Sequence, residues 1–387
     1  MPHRLLSIDI LRGLVMVLMT LDHTRDFFSE SHFEPTDLDK TSVALFLTRW
    51  ITHFCAPIFV FLAGTGAYLS SVQPNEKSPL SGFLLKRGVL LIFIQISIEA
   101  LAWNFKVDFR HIEGGVLWAI GWSMIVMAGL VRLPMNWIIG SGFLVIAGHN
   151  LFDDVQAADL GGFAPWWAIL HTGDVVHLGG EWLIQPYYPL LPWIGVMAVG
   201  FAFGKLMNCS GSEQRRRRIL LILGVTLITS FILLRFINVY GDPHPWQVHS
   251  DPAFTALSFL NCRKYPPSLL YVLMTLGPAM VCLAFFDQRD SRSPVFLIVF
   301  GRTPLFFYIV HLFLIHLLAV ILAALTDGPV SAIMIGPWSP QMPDSYGYGL
   351  AVVYSIWLFV VLLLFPLCRW YDAFKRRNRH WTWLKYI

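Results

Sequence analysis

The apolar stretch SIDILRGLVMVLMTLDHTRDFF, residues 7–28, carries Asp9 and Arg12 inside it and Asp22 and His23 where it ends. Ionisable groups inside a hydrophobic helix are costly, and they usually face a bundle interior or a watery path. Asp9 and Arg12, three residues apart, share one helix face. Arg12 and His23, eleven apart, return to nearly the same face, about 16 Å from each other along the axis. One stripe thus joins a charged pair to a histidine. Further polar groups extend it: Arg12, Lys86, Arg87 and Arg302 fall toward one side, whereas His53, Gln95, Glu99, His149, His311 and His316 fall from mid-depth toward the other. The result is a polarised path across an apolar layer.

Each group also has a plain structural reading. Asp9 with Arg12 can lock helices together, Lys86 and Arg87 can anchor a helix at lipid headgroups, and His149 before NLFDD can sit at the interface. The loop triplet His171, Asp174 and His177 offers metal-ligand types without a helical frame to orient them, and no metal is expected.

The elements that must position this path are transmembrane helices. Of 387 residues, 56% are hydrophobic and 13% charged, against about 25% charged in soluble domains. Mean hydropathy is +0.60. Apolar runs long enough for a ~30 Å hydrocarbon core recur from end to end. The fold class is all-α, a polytopic membrane bundle of about ten helices: 5–25, 42–70, 82–104, 115–132, 134–151, 185–207, 216–238, 266–286, 295–325 and 350–371. Pro304 predicts a kink or re-entrant start in the ninth. With ten alternating spans, SVQPNEKSPLSGFLLKR, KLMNCSGSEQRRRR, DQRDSRS and the basic tail share one side, which makes that side cytoplasmic and both termini internal. The opposite connections include the acidic DFFSESHFEPTDLDK and the stretch 133–204, which has no Lys or Arg.

Residues 152–184 and 239–265 read as ordered outer caps. The tail, 372–387, reads as an interfacial cytoplasmic segment on anionic lipid, or as a solubilising end. The first helix is retained, because Asp9 and Arg12 interrupt what a cleavable signal needs. The five cysteines show neither metal nor disulfide spacing. There is no internal repeat, and 1–387 reads as one domain. Arg215 to Arg218 fit the orientation rule, so no nucleic-acid partner is called for. A homo-oligomer stays open.

DILRGLVMVLMTLDH, an arginine followed by ten residues and a histidine, resembles the first helix of the acyltransferase-3 family, membrane enzymes that acylate sugars and glycans. SIDILRG, APIFVFLAG at 56–64, LLKRG at 84–88, GGVLWAIG at 114–121 and FGRTPLFFYIVH at 300–311 resemble the catalytic domain of heparan-α-glucosaminide N-acetyltransferase and its bacterial relatives. The resemblance covers essentially the whole chain, in order. It implies an inner-membrane acyltransferase that passes an acetyl or short acyl group from cytoplasmic acyl-CoA to an extracytoplasmic carbohydrate. Arg12, Asp9, Lys86, Arg87, Arg302, Tyr308 and His311 then belong to the donor site, where cations meet the CoA phosphates. A histidine serves as base or as nucleophile, and Asp22 or Glu99 orients it.

The two patterns differ on which histidine acts. The acyltransferase-3 pattern selects His23. The heparan-type pattern has asparagine there and its histidine in the following loop, where this chain has His32. The helix-face argument favours His23, and His53 is the next candidate. Two other classes fit the same residues: a proton-coupled transporter using the His/Glu path, and a non-catalytic scaffold held by buried charges.

Overall fold

The computed structural model describes residues 5–72, 79–209, 211–287, 294–378 and 380–386. The basic start at 1–4 and the core of two basic connections, 73–78 and 288–293, lie outside these residues, as do the expectations that rest on them.

Along the chain come α1 (Leu6–Phe28), α2 (Val43–Thr52), α3 (Cys55–Ser71), α4 (Leu80–Ile94) and α5 (Ala100–Asn104). Then follow β1 (His111–Glu113), α6 (Val116–Leu130), α7 (Met135–Gly148), α8 (Ala164–Trp167), β2 (Val176–Gly179) and β3 (Trp182–Gln185). The rest is helical: α9 (Leu190–Cys209), α10 (Glu213–Ile237), α11 (Pro252–Leu260), α12 (Leu269–Phe286), α13 (Val295–Arg302), α14 (Pro304–Leu325), α15 (Val330–Ile335) and α16 (Leu350–Arg377). All ten stretches expected to be helical are helical over most of their length. Among the described residues six helical segments, counting α2 with α3 as one, are long and apolar enough to cross a membrane. The protein is a helical membrane protein.

Three of the ten stretches are broken, each for a local reason. Pro57 has no N–H to give the His53 carbonyl, so the helix interrupts between α2 and α3. The Tyr271 hydroxyl donates to that carbonyl instead, at 2.6 Å. A π-turn at Gln95–Glu99 links α4 to α5, and such bulges favour functional positions because they re-aim side chains. At Thr303 the backbone leaves helical geometry, and Pro304 opens α14 as its first residue, where a missing N–H costs nothing.

The all-α expectation needs one correction. A three-stranded sheet, ordered β1-β3-β2, joins the stretch before α6 to the segment between α8 and α9. β1 runs parallel to β3, with Ile112 opposite Ile184, and β2 forms an antiparallel hairpin with it. Gly179 and Gly180 make the hairpin turn at φ +104° and +58°, a conformation glycine adopts without a steric cost.

Burial explains why charges concentrate on α1. It packs against α2, α3, α12, α13, α14 and α16 and buries most of its residues, so its polar groups meet protein rather than lipid. By contrast α10 and α16 present large apolar side chains outward, such as Phe236 and Leu362, as a lipid-facing surface requires. α1 and α13 cross at backbone contact. A Cβ at Gly13 would lie 2.0 Å from the Leu297 oxygen, and one at Gly301 1.9 Å from the Asp9 oxygen. That crossing brings Asp9, Arg12 and Arg302 together.

Candidate active site

A cavity of about 660 Å³ opens between α1, α4, α14 and α16, and Arg12, Arg87, Arg302, Lys375 and Arg376 line it with Asp372. Its size lies within the ~300–1,000 Å³ of small-molecule sites. Asp9 holds the cations in place. Its carboxylate is 3.8 Å from Arg12 and 3.6 Å from Arg302, and Arg12 donates to the Gly301 carbonyl at 3.2 Å. Asp372 pairs with Arg376 at 2.7 Å and with Arg302 at 4.0 Å. Two carboxylates among five cations leave this wall net positive. Met16, Leu91 and Met124 line the cavity's apolar part, and Tyr308 borders it.

Beyond Tyr308 lies the histidine. The His23 ring faces the Tyr308 ring at 6.3 Å and the Trp103 ring at 4.9 Å. His23 Nδ1 is 2.7 Å from His311 Nε2, and the two imidazoles stack at 4.9 Å. His311 Nδ1 is 3.0 Å from the Phe307 carbonyl. A carbonyl can only accept, so His311 Nδ1 carries the proton and its Nε2 offers a lone pair. His23 Nδ1–H then donates to that lone pair, which leaves the His23 Nε2 lone pair as the base. The tautomers follow from the hydrogen-bond network.

Glu99 supports this pair from one side. It accepts from the Tyr308 hydroxyl at 2.8 Å and from Trp103 Nε1 at 3.0 Å, and Gln95 Nε2 donates to its other oxygen. The Gln95 oxygen accepts from the Leu117 and Trp118 amides at the start of α6. One carboxylate in the π-turn thus fixes both aromatic rings beside His23.

Asp22 does not orient the imidazole. Its carboxylate is engaged by Arg49 at 2.7 and 2.9 Å, by Arg25 at 2.9 Å and by the Thr52 hydroxyl at 2.9 Å; the hydrogen-bonded partner of His23 is His311. Arg49 borders a second cavity, of about 700 Å³, which Glu34, Asp37, His53, Lys264 and Tyr265 also line. His53 is buried there, and its Nδ1 has no hydrogen-bond partner among the described residues.

Other expectations resolve differently. Lys86 is exposed and does not line the basic cavity, although its neighbour Arg87 does. His32 is exposed on the loop after α1, with Nε2 2.7 Å from the Tyr346 carbonyl. His316 is pinned between the Ala102 and Ile333 carbonyls at 2.9 and 2.8 Å, joining α5 and α15. His149 is buried within the protein. In the loop triplet His171 is buried while Asp174 and His177 are exposed, so the three do not converge. The stretch from 372 begins inside α16, and Lys375, Arg376, Trp381 and Leu384 reach the cavity.

Sequence reasoning missed Trp103, Asp372, Lys375 and Arg376 as site residues. Spacing held a signal for each: Trp103 is four residues after Glu99, and Lys375 and Arg376 are three and four after Asp372, all on shared helix faces. Nothing in the sequence joins His23 to His311, 288 residues apart.

Fold and site together define a helical membrane protein with a basic cavity bordered by Tyr308, beside a hydrogen-bonded histidine pair of which His311 is buried and His23 half-buried. The family model described as heparan-alpha-glucosaminide N-acetyltransferase, catalytic, matches residues 4–234. The match covers more than half of the chain, so the protein belongs to this family of membrane acetyltransferases and is a transferase of that kind. No curated protein matches the chain. Arg12, His23, Arg87 and Glu99 lie within the matched region, and Arg302, Tyr308 and His311 lie beyond it.

Proposed function

We propose that the protein transfers an acetyl or similar short acyl group from cytoplasmic acyl-CoA to an extracytoplasmic sugar or glycan, with His23 as general base. The observation that carries this reading is the directed chain from His23 through His311 to the Phe307 carbonyl, placed where the basic cavity ends at Tyr308. Arg12, Arg87 and Arg302, with Lys375 and Arg376 at the mouth, suit the pyrophosphate and 3′-phosphate of CoA. The apolar wall suits the pantetheine arm. The second cavity, polar and bordered by His53 and Tyr265, suits a hydroxyl-rich acceptor arriving from the opposite side.

In the reaction, the acceptor oxygen or nitrogen attacks the thioester carbonyl while His23 Nε2 takes its proton. The C–S bond breaks, the thiolate takes that proton from His23, and CoA leaves as the free thiol. His311 supports the imidazolium through its Nε2 lone pair and keeps the reactive nitrogen in its tautomer. The protein then sits in the inner membrane with both termini cytoplasmic, the orientation that the basic connections favour.

The test compares His23→Ala with His32→Ala in purified protein, using acetyl-CoA as donor and glucosamine as acceptor probe. Transfer falls by about 10²–10⁴-fold in His23→Ala and stays near wild type in His32→Ala. The reverse pattern assigns the chemistry to His32. Thiol release in a burst without acceptor marks an acylated histidine and replaces the base with a nucleophile. Movement of glucosamine across vesicles without thioester loss identifies a transporter.

A further inference from the structure

At the capped end, away from the basic cavity, His149, Asp153 and His171 converge. One ligand atom from each lies within 4.8 Å of the others, and Asp153 Oδ1 is 3.8 Å from His171 Nε2. The groups come from separate places: His149 and Asp153 from the turns that follow α7, His171 from the π-turn after α8. His149 is 2% exposed, and neither of its ring nitrogens makes a well-aligned hydrogen bond among the described residues, with the Pro267 carbonyl the backbone acceptor acting on it. Asp153 Oδ1 is likewise buried without one. Leaving a buried polar group unsatisfied is costly. His149 and Asp153 thus each bring a buried, unsatisfied atom to within reach of the His171 ring.

The surroundings hold these side chains for ligation. Asn150 Nδ2 donates to Asp153 Oδ2 at 2.8 Å, turning Oδ1 toward the histidines, and Asn150 Oδ1 accepts from the Leu269 amide at the start of α12. The Trp167 ring stacks on His171 at 4.8 Å with planes 7° apart, and its Nε1 donates to the Val155 carbonyl at 2.9 Å. Partners that fix ligand orientation in this way are the usual outer shell of a metal site. Arg263 lies near enough to act on His149 and Asp153, and Asp242 adds a negative charge beside it.

We propose that His149, Asp153 and His171 bind a divalent transition metal, zinc foremost, that clamps the outer cap to the end of α7. Two imidazoles and one carboxylate are zinc's ligand types, with a fourth position left to water. Tetrahedral bonds of about 2.0–2.1 Å would draw the ligand atoms to roughly 3.3 Å from one another, a closure that side-chain rotation supplies. His171 Nε2, now 3.0 Å from the His149 carbonyl, exchanges that contact for the metal. The site is independent of acyl transfer, and it departs from the expectation that the protein needs no metal.

The test uses tag-free full-length protein in detergent, stripped with EDTA and then given zinc chloride. After gel filtration, elemental analysis finds about one zinc per chain, and zinc raises the melting temperature. A double variant, His149→Ala with Asp153→Asn, retains at least tenfold less zinc and loses the thermal rise, while His177→Ala, on the exposed strand, keeps both. Equal zinc in wild type and double variant overturns the proposal, as does loss in His177→Ala. If the double variant does not fold, cobalt(II) added to stripped wild type decides: a saturable visible spectrum that zinc abolishes supports the site, and its absence overturns it.

Discussion

Asp9 and Asp22 lie thirteen residues apart on one helix, and each faces two arginines, yet the surroundings differ. Asp22 meets Arg25 and Arg49 at 2.7–2.9 Å, and those arginine side chains are 5% and 9% exposed. Asp9 meets Arg12 and Arg302 at 3.6–3.8 Å, and these are 19% and 25% exposed and line the basic cavity. The first cluster spends its charge on α1, α2 and their packing. The second holds its cations at a cavity wall, where an anionic ligand can reach them. Two similar sets of residues therefore serve opposite ends, a lock and a docking site, with His23 beside the lock and one helix joining them.

Substitutions can break this contrast. Asp22→Ala leaves Arg25 and Arg49 buried without their shared carboxylate, and it should cost about 3–5 kcal/mol of stability, read as a large fall in melting temperature in detergent. A small fall would mean that Asp26 and Glu34, which also pair with these arginines, suffice. Arg302→Ala should leave melting nearly unchanged and weaken acetyl-CoA binding by about ten- to hundredfold, the worth of charge-assisted hydrogen bonds. Unaltered affinity there would reduce the basic end to a second lock. Gly301→Ala forces a methyl against the Asp9 backbone and should cost about 1–3 kcal/mol, with donor affinity falling as α13 moves away. Lys86→Ala should change stability by less than about 0.5 kcal/mol and leave affinity alone, whereas Arg87→Ala weakens it.

That last pair shows where sequence reading stops. Lys86 and Arg87 are adjacent, so on a helix they point about 100° apart, and only packing decides which one faces the cavity. Hydrophobic runs and proline positions made the ten helical stretches legible, since both act locally. The i,i+3 pairing of Asp9 with Arg12 was legible for the same reason. The sheet was not, because β1 pairs with β3 across some 70 positions, and strands of three and four residues carry no periodicity of their own. Asp22 beside His23 suggested an orienting carboxylate, but neighbours in a helix face different ways, and Arg49 claims Asp22 from another element. The partner His23 does have, His311, is supplied by the return of α14 against α1.

The central claim separates donor binding from chemistry along α1, with Arg12 at one end and His23 at the other. Acetyl-CoA titration paired with single-turnover thiol release on Arg12→Ala and His23→Ala tests it most directly. The account predicts weakened binding in Arg12→Ala, and in His23→Ala unchanged binding with release slowed at least a hundredfold. Wild-type release in His23→Ala, or equal loss of binding in both variants, would contradict it.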